Sequence, residues 1–273
     1  MLKPRLIPVI VVKEGLAVQS IGFKSFLPIG RPRISVEYFN NWDVDEIIVL
    51  DISRSQAKQT LDQEWVASIA NESFVPITFG GGINSVADIS RVLQAGADKI
   101  SINSAALKNP AFISEAAAVF GRQCIVVSID FKHDEVFSES GQKPGGLSPV
   151  EWAKKAEQLG AGEILLNSIE RDGSKSGYDL DVIRRVSESV QIPVIACGGA
   201  GTLRHLQEAL QAGASAVAAA NMLQFTEHST ILGKAYISQN QKIRLATDAN
   251  YAESKFDENG RLIKKEDLVL ENL

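Results

Sequence analysis

Apolar and polar positions along this chain follow two rhythms. Short β-branched runs recur at RLIPVIVV, DEIIVLDI, VPITFGGG, ADKISIN, CIVVSID, GEILLNS, IPVIACGG and ASAVAAAN, each bounded by Gly, Asp or Asn. Between most of them lie segments of helical period, such as SVADISRVLQAGA, PVEWAKKAEQLGA and LRHLQEALQAGA, several closing on the Gly that commonly ends a helix. Strands that are apolar throughout are buried on both faces, as in a parallel sheet covered by helices. Eight such units in about 240 residues predict an α/β fold, a closed (β/α)8 TIM barrel, with an open doubly wound sheet as the alternative.

The pattern also repeats at long range. A shift of 117 residues sets VPITFGGG on IPVIACGG, LQAGADKISIN on LQAGASAVAAA and DEIIVLD on GEILLNS. The repeated block contains several different supersecondary units, so it predicts two fused half-barrels and not a solenoid. The expected organisation is a barrel over residues 1–245 and a charged C-terminal extension over residues 246–273. In that extension Asn259-Gly260 separates two short apolar stretches, which reads either as a hairpin or as a solvated tail.

Composition narrows the partners. A chain of 273 residues with 45% hydrophobic and 22% charged residues can bury a large core. A formal charge of −5 argues against a nucleic-acid or anionic-membrane surface, because phosphate backbones need clustered Lys and Arg. The start MLKPRLIPVIVV has no small-residue cleavage site and its apolar run is too short for a bilayer, so a cytoplasmic location is expected. Cys124 and Cys197 lie in apolar strand-like runs, and no disulfide framework is indicated. His133, His205 and His228 lack metal-ligand spacing, and neither a metal nor a cofactor is expected.

The glycine-rich turns carry the clearest chemistry. Gly80, Gly81 and Gly82 follow strand three, and Gly198, Gly199 and Gly201 follow strand seven at the equivalent place. Where a strand ends in glycines and a helix begins, backbone N–H groups can converge on an anion, helped by the positive end of the helix dipole. Asn103 and Ser104 after strand four, and Ala220 and Asn221 after strand eight, can add hydrogen bonds to phosphate oxygens. Two such places imply a phosphorylated small molecule with a phosphate at each end, or the remains of that arrangement; the plain alternative is that the glycines only permit tight turns. At the opposite end, Arg5, Glu46, Lys99 and Glu163 each begin a strand. Pointing inward, they would ring the barrel mouth with two positive and two negative charges, either as a gate or as a salt-bridge plug.

RLIPVIVVKEG, VLDIS, FGGGI, ADKISINSAA, VVSID, GAGEILLNSIERDGSKSGYD and IPVIACGGAGT together resemble the cyclase subunit of imidazole glycerol phosphate synthase, the HisF family, from residue 1 to about 245. The resemblance implies a barrel that receives ammonia from a HisH-like glutaminase and acts on a nucleotide carrying two phosphates. It implies phosphate binding at Gly81, Gly82, Asn103, Ser104, Asp172, Gly173, Gly198, Gly199, Ala220 and Asn221, and an ammonia gate at Arg5, Glu46, Lys99 and Glu163. The family's chemistry rests on two aspartates, at the ends of strands one and five, acting as general acid and base. Here SIDFK supplies Asp130, but VIVVK places Val11 where its partner belongs.

Two further departures are Gln19, where the family has Lys, and Arg31, where it usually has Asp, whereas Asp51 matches the family. Asp130 alone either assists nitrogen transfer or only organises loop backbone. No G-x-C-x-G elbow surrounds either cysteine, so the glutaminase is a separate partner. VIVVKEG and GEILLNSI are most similar to the WbuZ, or second-HisF, subgroup, associated with amidation of surface-polysaccharide sugars together with a sugar amidotransferase. Three readings follow: an ammonia-channelling subunit, a histidine-pathway cyclase, and a non-catalytic scaffold that binds a phosphorylated metabolite.

Overall fold

The structure, a computed structural model, describes residues 3–57, 59–225, 228–245, 254–258, 260 and 262–263. All eight apolar runs form strands: β1 (Arg5–Lys13), β2 (Ile47–Asp51), β3 (Ile77–Gly80), β4 (Lys99–Ile102), β5 (Ile125–Lys132), β6 (Glu163–Ser168), β7 (Val194–Cys197) and β8 (Ala216–Ala219). Each pairs in parallel with the next, and β8 pairs with β1, Arg5 opposite Ala216, which closes the barrel. The open-sheet alternative is therefore excluded.

Helices α1 (Pro32–Asn41), α2 (Gln63–Ala70), α3 (Val86–Gln94), α4 (Ala111–Phe120), α5 (Pro149–Leu159), α6 (Leu180–Ser189), α7 (Leu203–Gln211) and α8 (Ser229–Ser238) surround it. Their starts are set locally. Asp62, Ser85, Ser148 and Asp179 each accept a backbone N–H from the first turn, and Ser148 with Glu151 forms a reciprocal capping box. No helix among the described residues is long and apolar enough to cross a membrane.

Strand alternation divides the interior. Outward residues such as Ile10, Val49, Phe79, Ile100 and Val127 pack against the helices, while Ile7, Val9, Ile48, Val126, Leu165, Ile195, Ala216 and Ala218 fill the barrel. Val11, Leu50, Cys197 and Ala220 cap that filling. Register fixes the two halves against each other. Val11 lies opposite Leu50 across β1 and β2, Asp130 lies opposite Asn167 across β5 and β6, and Leu50 and Asn167 are 117 positions apart. Val11 and Asp130 thus hold equivalent places in the two half-barrels.

The stretch after β1 is an antiparallel hairpin of Leu16–Ile21 with Ser25–Gly30. β5 likewise runs on into a hairpin with Glu135–Ser138. In the C-terminal extension Lys255–Phe256 pairs antiparallel with Leu262–Ile263, and Phe256 meets Tyr236 of α8 edge-on with centroids 5.3 Å apart. Residues 246–253, 259, 261 and 264–273 lie outside the described residues.

Candidate functional site

The C-terminal ends of the strands bring Asp130 between two amides. Asn103 Nδ2 donates to Asp130 Oδ2 at 2.7 Å and Asn167 Nδ2 to Oδ1 at 3.2 Å, with Ser128 Oγ at 3.4 Å from Oδ1. Burial pushes this carboxyl up to about 6; the hydrogen bonds from Asn103, Asn167 and Ser128 offset part of that shift, and the charge of Asp172 adds to it. A group titrating there can take or give a proton near neutrality. Asn103 also donates to Phe137 O at 3.1 Å, while its Oδ1 is buried without a partner. Cys197 faces the same mouth. Its thiol is pushed up to about 12 by burial and by Asp172 and Asp130, so it is not a thiolate nucleophile at neutral pH.

The hairpin after β1 is fastened over the neighbouring loops. Ser20 Oγ donates to Asp172 Oδ2 at 2.6 Å, the Gly22 N–H to Asp172 O at 3.0 Å, and Asn221 Nδ2 to Ser20 O at 2.8 Å. Gly173 lies under the hairpin, where a Cβ would come within 2.6 Å of Ser20 O. Burial raises the Asp172 carboxyl, with the Ser20, Phe23 and Gly22 hydrogen bonds opposing the shift. The family resemblance assigns Asp172, Gly173 and Asn221 to a phosphate; the structure brings all three to this hairpin, at the same mouth as Asp130. Ser104, similarly placed, accepts the Glu139 N–H at 2.9 Å. Gln19 lies within the hairpin, opposite Leu27, and Arg31 precedes α1 as its N-cap residue.

The glycine turns form two matching cradles. At Gly82 φ is 65° and a Cβ would stand 1.8 Å from Gln59 O; at Gly199 φ is 106° and a Cβ would stand 2.2 Å from Gly177 O. Only glycine fits either place, and 117 residues separate the two. Gly81 and Gly198 are similarly close to the carbonyls of Asp51 and Ser168.

At the other end of the barrel the four charges close a ring. Arg5 Nη1 lies 2.7 Å from Glu46 Oε2 and 3.1 Å from Glu163 Oε1, and Lys99 Nζ lies 2.9 Å from Glu46 Oε1 and 3.0 Å from Glu163 Oε1. Burial alone would lower the Arg5 guanidinium, but Glu163 and Glu46 hold it above its ordinary value. Thr78 Oγ1 donates to Glu46 Oε1 at 3.1 Å.

From that ring, buried Thr78, Ser101 and Ser128 place polar groups on β3, β4 and β5 toward Asn103 and Asp130, within an interior otherwise filled by apolar residues of β1, β2, β5, β6, β7 and β8. Neither this polar seam nor Asn167 is among the residues singled out from the sequence. The signal is nonetheless present: in KISIN, Lys99, Ser101 and Asn103 alternate with Ile100 and Ile102, so all three polar groups share the face opposite the helices.

Cys124 and Cys197 are both free. His133 is exposed and bridges Glu170 at 3.0 Å. Among the described residues no group of three or more His, Cys, Asp or Glu has metal-holding geometry.

Comparison with known proteins places this arrangement among relatives. A family model described as "Histidine biosynthesis protein" matches residues 5–229. A protein of Vibrio vulnificus (strain YJ016), named "Putative imidazole glycerol phosphate synthase subunit hisF2", is 47% identical over 268 residues, which take in 96% of this chain and 98% of that one.

Proposed function

The chain belongs to the histidine biosynthesis protein family, and on that premise we propose that it is the ammonia-accepting barrel subunit of a glutamine-dependent amidotransferase. The observation that carries the reading is the charge ring at one mouth and Asp130 at the other, with buried Thr78 bonded to Glu46 of the ring, Ser128 bonded to Asp130, and Ser101 buried on the strand between theirs. Ring, seam and carboxylate suit the passage of a small hydrogen-bonding nucleophile. Val11, equivalent to Asp130 in the barrel register, removes the second proton-transfer group that a ring-closing reaction needs.

In this reading a HisH-like glutaminase docks over the ring, which Arg5, Glu46, Lys99 and Glu163 open and close. Asp130 orients the arriving nitrogen and holds its proton. The glycine cradles, with Asn103, Ser104, Ala220 and Asn221, hold a phosphorylated small molecule under the hairpin latched by Asp172. The subgroup resemblance of VIVVKEG and GEILLNSI supports a surface-polysaccharide sugar as the final acceptor, modified by a separate sugar amidotransferase.

The name of the Vibrio relative supports a second reading, a histidine-pathway cyclase. Complementation separates the two. The unmodified chain is expected not to restore growth without histidine to a strain lacking its cyclase subunit; rescue by it would overturn the proposal. Co-purification should yield a glutaminase whose ammonia output is lost from the acceptor when Lys99 is changed to Met.

A further inference from the structure

The internal repeat sets two places on the rim of the Asp130 mouth side by side. After β1, three residues beyond Val11, Glu14 turns with φ 51° and its N–H donates to Ser53 Oγ at 2.6 Å. After β5, three residues beyond Asp130, His133 turns with φ 49° and its N–H donates to Glu170 Oε2 at 3.1 Å. Ser53 and Glu170 are 117 positions apart, as are Trp65 and Val182, whose N–H groups are capped by Asp62 and Asp179. The backbone follows the same course in both halves, and the side chains on it differ.

In the second half those groups are spent on each other. His133 Nδ1 lies 3.0 Å from Glu170 Oε1, and Val182 is buried in the core. In the first half the short Ser53 and the indole of Trp65 leave a cleft of about 300 Å3, lined also by Glu14, Asp51, Arg54 and Gln59. That volume is at the lower end for small-molecule sites, room for a single ring. Asp51 lies opposite Val12, which packs outward against the helices, so the cleft sits beside the strand ends and not inside the barrel.

Its walls are fixed. Asp51 Oδ1 accepts the N–H groups of Ser53 and Arg54 at 2.9 and 3.2 Å, Arg54 Nη1 donates to Gln59 Oε1 at 3.1 Å, and Trp65 stands edge-on to Phe79 with centroids 6.0 Å apart. Among the described residues nothing engages the Ser53 O–H, the Gln59 Nε2 hydrogens or the Glu14 carboxylate. The cleft therefore combines free donors, a free acceptor and an indole. A sugar ring matches that set, because its hydroxyls both donate and accept and its C–H faces pack on an aromatic ring. An anion does not, because the unpaired Glu14 carboxylate repels it.

We propose that this cleft is a carbohydrate site, taking a single uncharged pyranose ring at the rim of the mouth to which Asp130 belongs. Trp65 is the platform, Glu14 accepts from the ring hydroxyls, and Ser53 and Gln59 donate to them. The site lies outside the barrel and goes beyond the ammonia-accepting reading, on which it does not depend. His133 and Glu170 show the same turn with its groups paired, and so supply the variant that tests it.

The full chain has three tryptophans, so its indole N–H resonances report on Trp65 separately, with Trp65→Val to assign the signal. Methyl glucoside, methyl galactoside and N-acetylglucosamine are the probes, and cyclohexanol, a ring with one hydroxyl, is the control. At least one sugar should shift the Trp65 resonance saturably while Trp42 and Trp152 stay still. Glu14→His combined with Ser53→Glu, copying the second half, should weaken that sugar at least about tenfold, with thermal unfolding confirming the fold. Trp65→Val, copying Val182, should lose the sugar as read by saturation transfer, and decides the matter if the double variant does not fold. No saturable shift with any of the three sugars, equal affinity for cyclohexanol, or undiminished binding in these variants would overturn the proposal. Each result is read without a glutaminase and without histidine selection, so its failure leaves the amidotransferase reading standing.

Discussion

Asp130 accepts two amide donors and a hydroxyl and still titrates near 6, so burial outweighs its hydrogen bonds. A carboxyl whose folded pKa lies above its unfolded value near 3.8 costs stability when ionised. That cost is absent below about pH 4, grows between pH 4 and 6, and is complete above 6. A shift of that size corresponds to at most about 3 kcal/mol, and water at the mouth reduces it. Asp130→Asn is therefore expected to be more stable than wild type by roughly 1–2 kcal/mol at pH 7.5, with the gain gone at pH 4. Urea unfolding at the two pH values checks it, and a gain independent of pH would assign the effect to packing instead. The missing partner, Val11, is legible in the sequence alone, because the chain carries its own second copy for comparison. Asn167 is not, since an Asn at the end of an apolar strand shows no sequence sign of which neighbour its amide will meet.

Ser20 ties the hairpin from Leu16 to Gly30 to two neighbouring loops, donating to Asp172 and accepting from Asn221. Ser20→Ala removes one charge-assisted bond worth about 1–2 kcal/mol and leaves the backbone contacts of Gly22 and Phe23 with Asp172. Hydrogen exchange in residues 16–30 should quicken by about tenfold, while β2 to β8 keep their protection. Unchanged exchange would place the hold in the apolar contacts of the hairpin. All eight barrel strands are legible in the sequence because burial on both faces leaves an unmistakable apolar run. This hairpin is not: LAVQSI and SFLPIG mix exposed and buried apolar residues, and their placement depends on partners 152 and 201 positions away, which no local period reports.

Across the whole molecule the proposed function gives the two mouths of the barrel different tasks, and the face around the ring must receive the glutaminase if ammonia is to enter there. That face carries an anchor. Phe74, in the turn before β3 and so at the same end as the strand starts, is 88% exposed, yet its backbone is fixed. Its N–H donates to Asn40 Oδ1 at 3.1 Å, Asn40 Nδ2 donates to Glu72 O, and Arg33 pairs with Glu72 at 2.6 Å. An aromatic side chain on a fixed backbone gives up only its two torsions on docking and gains its full apolar burial, which is the profile of an interface hot spot. Phe74→Asp is thus expected to weaken the glutaminase complex by at least about 2 kcal/mol, some thirtyfold, with the thermal midpoint of the isolated chain unchanged. Lys99→Met should do the opposite. It leaves Glu46 and Glu163 facing each other with Arg5 alone, costing roughly 3 kcal/mol of chain stability while glutaminase affinity stays within about threefold. Surface plasmon resonance with the co-purified partner, beside thermal unfolding of each variant, separates the two effects. If Phe74→Asp left affinity intact, the partner would have to seal the ring by another route, and the docking face would move away from the turn before β3.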